Sequence, residues 1–122
     1  MVCLLIIAAM MNSAFALKPG DRRTLLSAVT STGAGTAIDD ADLPLRTYQA
    51  YGQTTAGSGS ATIKVQGSND GTNFVDLGTI TLTLTTSTST DGFVSNANWR
   101  YVRGNVTALS GTGAAVTLMM GV

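Results

Sequence analysis

Two segments in the second half of the chain alternate strictly between apolar and polar residues, and this period of two constrains the fold most strongly. In the first segment, Ala61, Ile63 and Val65 alternate with threonine, lysine and glutamine. In the second, residues 79–85, isoleucine and leucine alternate with threonine. Successive side chains of an extended strand point to opposite faces. Each segment therefore predicts a β-strand with one face in a core and one face toward solvent.

Other extended segments are separated by clusters of Gly, Ser, Asn and Asp, which are typical of turns. They are 25–29, 46–52, 74–77, 93–94 after an Asp91-Gly92 turn, 99–109 and 114–122, with 30–44 as a loop. Six to eight short strands cannot bury an apolar face in a single layer. We therefore expect an all-β fold, an antiparallel β-sandwich of jelly-roll-like type, over residues 24–122.

Residues 1–23 differ from this pattern. Residues 2–11 are almost entirely apolar, Ala14-Phe15-Ala16 matches a small-x-small cleavage site, and residues 18–23 form a polar junction. A secretory leader has this organisation, but no Lys or Arg precedes residue 18. An apolar arm covered by neighbouring subunits fits equally well. A permanent membrane anchor is less favoured, because a span needs about 20 apolar residues, and we expect no membrane partner for the mature form.

The charged residues argue against catalysis. The 122 residues include seven basic and seven acidic side chains, so the net charge is zero and nucleic acid is not an expected partner. The sequence contains no His and no Glu, and Cys3 is its one cysteine. The commonest general base and metal ligand are therefore missing. We expect no enzyme and no catalytic, cofactor or metal site, and we interpret the acidic residues 39–42 and 69–73 as turns.

Protein contacts are the remaining function class. Only 11% of residues are charged, against about 25% in typical soluble domains. The candidate interface residues are Trp99, Tyr101 and Arg103, which we expect on one outward face, and the apolar terminal residues Met119, Met120 and Val122. Trp, Tyr and Arg are common anchors of interfaces. We expect a homo-oligomer, for which a trimer is one option.

Three segments, 61–78, 99–106 and 111–118, resemble small virion proteins of tailed bacteriophages, and the resemblance extends over residues 25–122. It implies a β-sandwich accessory protein of the virion, such as a capsid decoration or cement subunit or a neck or tail component, with capsid or other virion proteins as partners.

The corner at 68–74 also resembles the Ser-x-Asp-Gly-x-x-Trp turn of discoidin-type sugar-binding jelly rolls, with Phe74 in place of Trp. A secreted carbohydrate-binding sandwich is therefore an alternative, as is a subunit of an extracellular filament. Both alternatives apply if residues 1–16 are a cleaved signal peptide.

Overall fold

The computed structural model describes residues 21–39, 46–96 and 99–121, which form nine β-strands. The strands are β1 (Arg22–Val29), β2 (Gly33–Ala34), β3 (Ile38–Asp39), β4 (Arg46–Gln53), β5 (Ala56–Ser68), β6 (Val75–Leu84), β7 (Ser89–Ser95), β8 (Tyr101–Thr112) and β9 (Ala115–Gly121). In these residues no helix is long and apolar enough to cross a bilayer. The predicted leader or arm lies outside the described residues, except that β1 begins at Arg22, within the predicted junction.

The strands form two antiparallel sheets that pack face to face. The four-stranded sheet has the order β1-β9-β4-β7, and the five-stranded sheet has the order β2-β8-β5-β6, with β3 also paired to β8. If β2 and β3 count as one interrupted strand, the first strand pairs with the last, the second with the second-last, and so on inward to β5 and β6. A hairpin nested in this way and wound into two layers is a jelly roll. The expected all-β antiparallel sandwich is confirmed.

The core lies between the inner faces of both sheets. The alternation predicted for β5 and β6 is confirmed, because Ala61, Ile63 and Val65 are fully buried and Ile80, Leu82 and Leu84 are at most 2% exposed. In β8, Val102 and Val106 point inward as expected, and β9 contributes Val116, Leu118 and Met120. Because β9 lies between β1 and β4, the apolar end of the chain is central in its sheet.

Glycines on the inner faces of the five-stranded sheet lie directly against side chains of the facing sheet. A Cβ on Gly104 of β8 would lie 2.6 Å from Leu118 Cδ2 and 2.8 Å from Leu26 Cδ1, on the opposite sheet. A Cβ on Gly78 of β6 would likewise lie 2.5 Å from Cζ of the Phe93 ring. Carbon atoms in contact are normally about 3.5–4.0 Å apart. These glycines therefore make room for large side chains from the facing sheet.

Two predicted boundaries were wrong. Asp91 and Gly92, interpreted as a turn, lie inside β7, where Gly92 pairs with Gln49. A Cβ on Gly92 would meet the carbonyl oxygen of Tyr48, so the glycine allows close strand approach. The predicted loop 30–44 contains the two short strands β2 and β3, which account for a strand number above the predicted six to eight.

Candidate functional site

The outer face of the five-stranded sheet carries a cross-strand row of polar side chains. In the strand register, Gln66 of β5 lies opposite Arg103 of β8 on one side and Asp76 of β6 on the other. The alternation that buries Val65 and Val102 turns Gln66 and Arg103 outward. Asp76 reaches the same face because the register of β5 and β6 shifts between Val65 and Gln66. Tyr101 occupies the same face of β8, one step along the alternation.

The row is connected by directed hydrogen bonds. Arg103 Nε donates to Gln66 Oε1 at 2.9 Å, and Gln66 Nε2 donates to Asp76 Oδ1 at 2.8 Å. Lys64 Nζ completes the row with an ion pair to Asp76 Oδ2 at 3.0 Å. The hydrogen bond from Gln66 and that from Lys64 lower the pKa of Asp76. We call Lys64, Gln66, Asp76 and Arg103 the polar row.

Phe74 supports the guanidinium end of the polar row. The guanidinium carbon of Arg103 lies 3.8 Å from the centroid of the Phe74 ring, the distance of a cation–π contact. The ring covers one side of the guanidinium plane, and Gln66 fixes its rotation through Nε. Arg103 is therefore held in one orientation by Gln66 from β5 and by Phe74, which directly precedes β6.

A second cation on this face is already paired. Arg100 Nη2 lies 3.2 Å from Asp39 Oδ2, and its guanidinium carbon is 5.5 Å from the centroid of the Tyr101 ring. The hydrogen bond and charge of Asp39 raise the pKa of Arg100. Tyr101 is half-buried and also lies beside Gly71, where an added Cβ would be 3.4 Å from Tyr101 Cε2.

The corner at 68–74 is a self-contained turn. Asp70 Oδ1 accepts hydrogen bonds from the backbone N–H groups of Thr72 and Asn73, both at 2.8 Å, and from the Ser68 hydroxyl. Asp70 Oδ2 accepts from Asn73 Nδ2 at 2.9 Å. These bonds, led by that from the Asn73 side chain, lower the pKa of Asp70 far below the usual range. Within the described segments, no three His, Cys, Asp or Glu side chains are grouped to hold a metal ion.

The predicted interface residues do not form one surface. Tyr101 and Arg103 share the outer face of the five-stranded sheet, whereas Met119 is on the outer face of the four-stranded sheet. Met120 is fully buried, so placing it at an interface was wrong; the alternation of β9 turns it into the core. Val122 lies outside the described residues.

Trp99 was also expected on the outward face with Tyr101, and this too was wrong. Trp99 precedes β8 and does not follow its alternation. Its Cγ would be 2.5 Å from a Cβ on Gly67, a buried residue that follows Val65 on the inner face of β5. The indole therefore packs against one end of the core and is half-buried.

The outer face of the four-stranded sheet is almost free of charge. It presents Thr47, Gln49, Tyr51 and Gln53 from β4, Ala115, Thr117 and Met119 from β9, and Arg22 and Thr24 from β1. Tyr51 is 38% exposed, and Val94 of β7 is 61% exposed. A shallow depression of about 260 Å³ lies between Ala28, Tyr51 and Thr117, and one of about 150 Å³ lies beside Met119. We call this surface the uncharged face.

Sequence reasoning missed three residues that organise these surfaces. Gln66 and Phe74 orient Arg103, but strand register is needed to bring them together, and the sequence does not reveal it. Arg46, the first residue of β4, is fully buried and donates from Nη1 to the Trp99 carbonyl oxygen at 3.3 Å. Arg46 has the same phase in the alternating segment 46–52 as Tyr48 and Ala50, and this phase was the signal in the sequence for its burial.

The chain matches no protein-family model and no curated protein. Among solved structures it is similar to the crystal structure of PBSX exported protein XepA, with a TM-score of 0.52 and 10% sequence identity. The match covers 87% of this chain and 38% of that chain, so this chain spans well under half the length of the solved protein. At this identity the likeness concerns the fold.

Proposed function

We propose that the chain is a structural protein of a tailed-phage particle, a capsid decoration or cement subunit that stabilises the shell through protein–protein contacts. The observation that carries this proposal is the uncharged face, a broad sheet surface with Tyr51 and Met119 among short neutral side chains. Burial of such a surface avoids the large desolvation cost of charged groups, because it holds almost no charge. It suits a lasting contact better than reversible encounters guided by charge.

The fold and its structural neighbour are compatible with this proposal. Jelly rolls are found both in viral capsids and in lectin domains, so the architecture alone does not choose between them. The solved protein with the similar fold bears the name PBSX exported protein XepA. Together with the resemblance of residues 25–122 to phage virion proteins, it supports a phage-related structural protein, located in the virion or outside the cell.

The carbohydrate-binding alternative is less well supported. Sugar rings stack on exposed aromatic faces, but one face of Phe74 is covered by the Arg103 guanidinium. The Trp99 side chain is packed on Gly67, and Arg100 lies over the Tyr101 ring. These aromatic rings are therefore engaged in contacts of their own.

The filament alternative is also less well supported. Open-ended strand addition favours flat, regular edge strands. The edge strand β1 has register shifts between Thr24 and Leu26 and between Leu26 and Val29. Such irregular pairing twists this edge and disfavours the addition of a further strand to β1, whereas β7 at the other edge pairs with β4 without a register shift.

The proposal is tested by particle association. Full-length protein is mixed with phage particles of the same source that lack it, and the particles are sedimented through a cushion and quantified by mass spectrometry. We expect many copies per particle. Recovery only in the unsedimented fraction, or in a few copies per particle, would refute the proposal and favour the secreted alternatives.

The surface itself is tested by placing a charge on it. Burial of an unpaired carboxylate costs several kcal/mol, so Met119→Glu should reduce particle binding at least about tenfold. The matched control is Ser58→Glu, which adds the same charge at an exposed position of β5 away from the uncharged face. Equal binding by both variants would show that the uncharged face is not the contact surface.

A further inference from the structure

On the outer face of the five-stranded sheet, the described cations differ in whether they are paired with a carboxylate. Lys64 is paired with Asp76 and Arg100 is paired with Asp39. Arg103 has no carboxylate partner among the described residues, since its hydrogen bond goes to the neutral amide of Gln66. One positive charge on this face is therefore uncompensated locally, although the chain as a whole is neutral.

The uncompensated guanidinium is also oriented in advance. Nε is engaged by Gln66, and one side of the plane lies on Phe74, which leaves the two Nη nitrogens without hydrogen bonds in the described part of the chain. Two parallel N–H donors in a fixed plane match the two oxygens of a carboxylate. Because the Arg103 side chain is already held, binding of a carboxylate would cost less side-chain entropy.

We propose that Arg103 is the anchor for a carboxylate on an acidic segment of a neighbouring protein, bound through its two Nη nitrogens. This inference rests on the proposed structural function and deepens it by naming the partner's chemistry. Arg103 and the uncharged face lie on opposite sides of the sandwich, so the subunit would contact two neighbours at once. Two such contacts would let the subunit join neighbouring proteins of a shell.

The experiment is an NMR titration of the full-length protein that follows the Nε–H signal of Arg103. The probes are a short capped peptide with two adjacent glutamates, the same peptide with glutamines, inorganic phosphate, and a short single-stranded oligonucleotide. We expect a saturable shift with the glutamate peptide and none with the glutamine peptide. Phosphate and oligonucleotide should bind more weakly than the glutamate peptide.

Two variants separate orientation from charge. Arg103→Lys keeps the charge but loses the planar pair of donors, so it should bind the glutamate peptide about tenfold more weakly, as followed by backbone amide shifts. Arg100→Lys makes the same change at a cation that is already paired with Asp39, and it should bind like wild type. Matching circular dichroism spectra and melting temperatures establish that both variants are folded.

The proposal is overturned if the Arg103 signal does not respond to the glutamate peptide, if both arginine variants lose binding equally, or if phosphate or oligonucleotide binds more tightly. Its failure is distinguishable from failure of the proposed function. Particle binding that persists at wild-type strength in Arg103→Lys refutes the anchor and leaves the virion function standing. Peptide binding at Arg103 without any particle binding supports the anchor and refutes the virion function.

Discussion

The contact of Leu118 and Leu26 with Gly104 gives a sharp test of the packing between the two sheets. In Gly104→Ala the new Cβ would lie 2.6 Å from Leu118 Cδ2 and 2.8 Å from Leu26 Cδ1, more than half an ångström inside normal contact. Overpacking of a core costs about 1–3 kcal/mol, and the loss of glycine freedom in the unfolded chain offsets about 0.4–1 kcal/mol. We expect net destabilisation of about 1–2 kcal/mol, from the difference of these two contributions.

The assay is thermal unfolding followed by circular dichroism, with urea unfolding as a second measure. A domain of about 100 residues loses about 4–8 °C in Tm per kcal/mol, so the Tm of Gly104→Ala should fall by about 5–15 °C. The urea m-value should be unchanged, because the substitution alters the packing of the native state and not the surface exposed on unfolding.

A double-mutant cycle identifies the cause. Leu118→Val removes the Cδ atoms and should alone cost about 0.5–1.5 kcal/mol. Combined with Gly104→Ala, it removes the nearer of the two close contacts and leaves that with Leu26, so the double variant should be more stable than the sum predicts by about 1 kcal/mol. The control is Gly57→Ala, at φ +67° with no heavy atom within 4 Å of the added Cβ.

Gly57→Ala should be destabilising through its left-handed backbone alone. It should combine additively with Leu118→Val, within about 0.5 kcal/mol. A Tm of Gly104→Ala within 2 °C of wild type, or an additive cycle with Leu118→Val, would refute the claim that the sheets meet over this glycine; the 2 °C limit corresponds to less than about 0.5 kcal/mol.

Two further predictions concern stability. Met120→Ala should cost about 2–5 kcal/mol in urea unfolding because it empties a core position, whereas Met119→Ala, on the uncharged face, should change stability by less than about 0.5 kcal/mol; equal losses would contradict the assignment of the two methionines. Asp70→Asn should lower the Tm at neutral pH, because the folded-state hydrogen bonds lower the Asp70 pKa and so stabilise the fold above its unfolded pKa. This stability is lost as the pH falls toward the folded pKa, so the Tm difference between Asp70→Asn and wild type should narrow below pH about 4. A Tm difference that is constant from pH 7 to pH 3 would be contrary evidence. An equally large difference in Asp91→Asn would also be contrary evidence.

The sequence predicted the fold correctly where apolar and polar residues alternate strictly along a strand. In 61–65 and 80–84 the apolar residues alternate without exception, and a shift of one residue would expose all of them. The prediction failed where the position of a residue does not depend on that alternation. Trp99 lies before its strand, and Gly92 is required by close approach to Tyr48 and not by a turn.

The candidate surfaces were less predictable, because they depend on pairing between distant segments. Tyr101 and Arg103 were assigned to one outward face from the alternation of β8, and both are found there. Nothing local indicates that Gln66, 37 residues away, accepts the hydrogen bond of Arg103. The position of Met120 was misjudged although Val116 and Leu118 alternate with Thr117 in the sequence, which gives Met120 the phase of the buried residues.

On the outer face of the five-stranded sheet, two of the described cations are neutralised by local pairing. Lys64 with Asp76 and Arg100 with Asp39 cancel at distances of 3.0 and 3.2 Å, and exposed pairs of this kind contribute little to stability. The two pairs neutralise the charges of Lys64 and Arg100. Among the described cations of this face, Arg103 therefore presents one directed positive group instead of a diffuse field. A diffuse field would steer the protein toward any polyanion. In the proposed function, a single oriented guanidinium, on the side of the sandwich opposite a face with almost no charge, would instead select a partner by geometry.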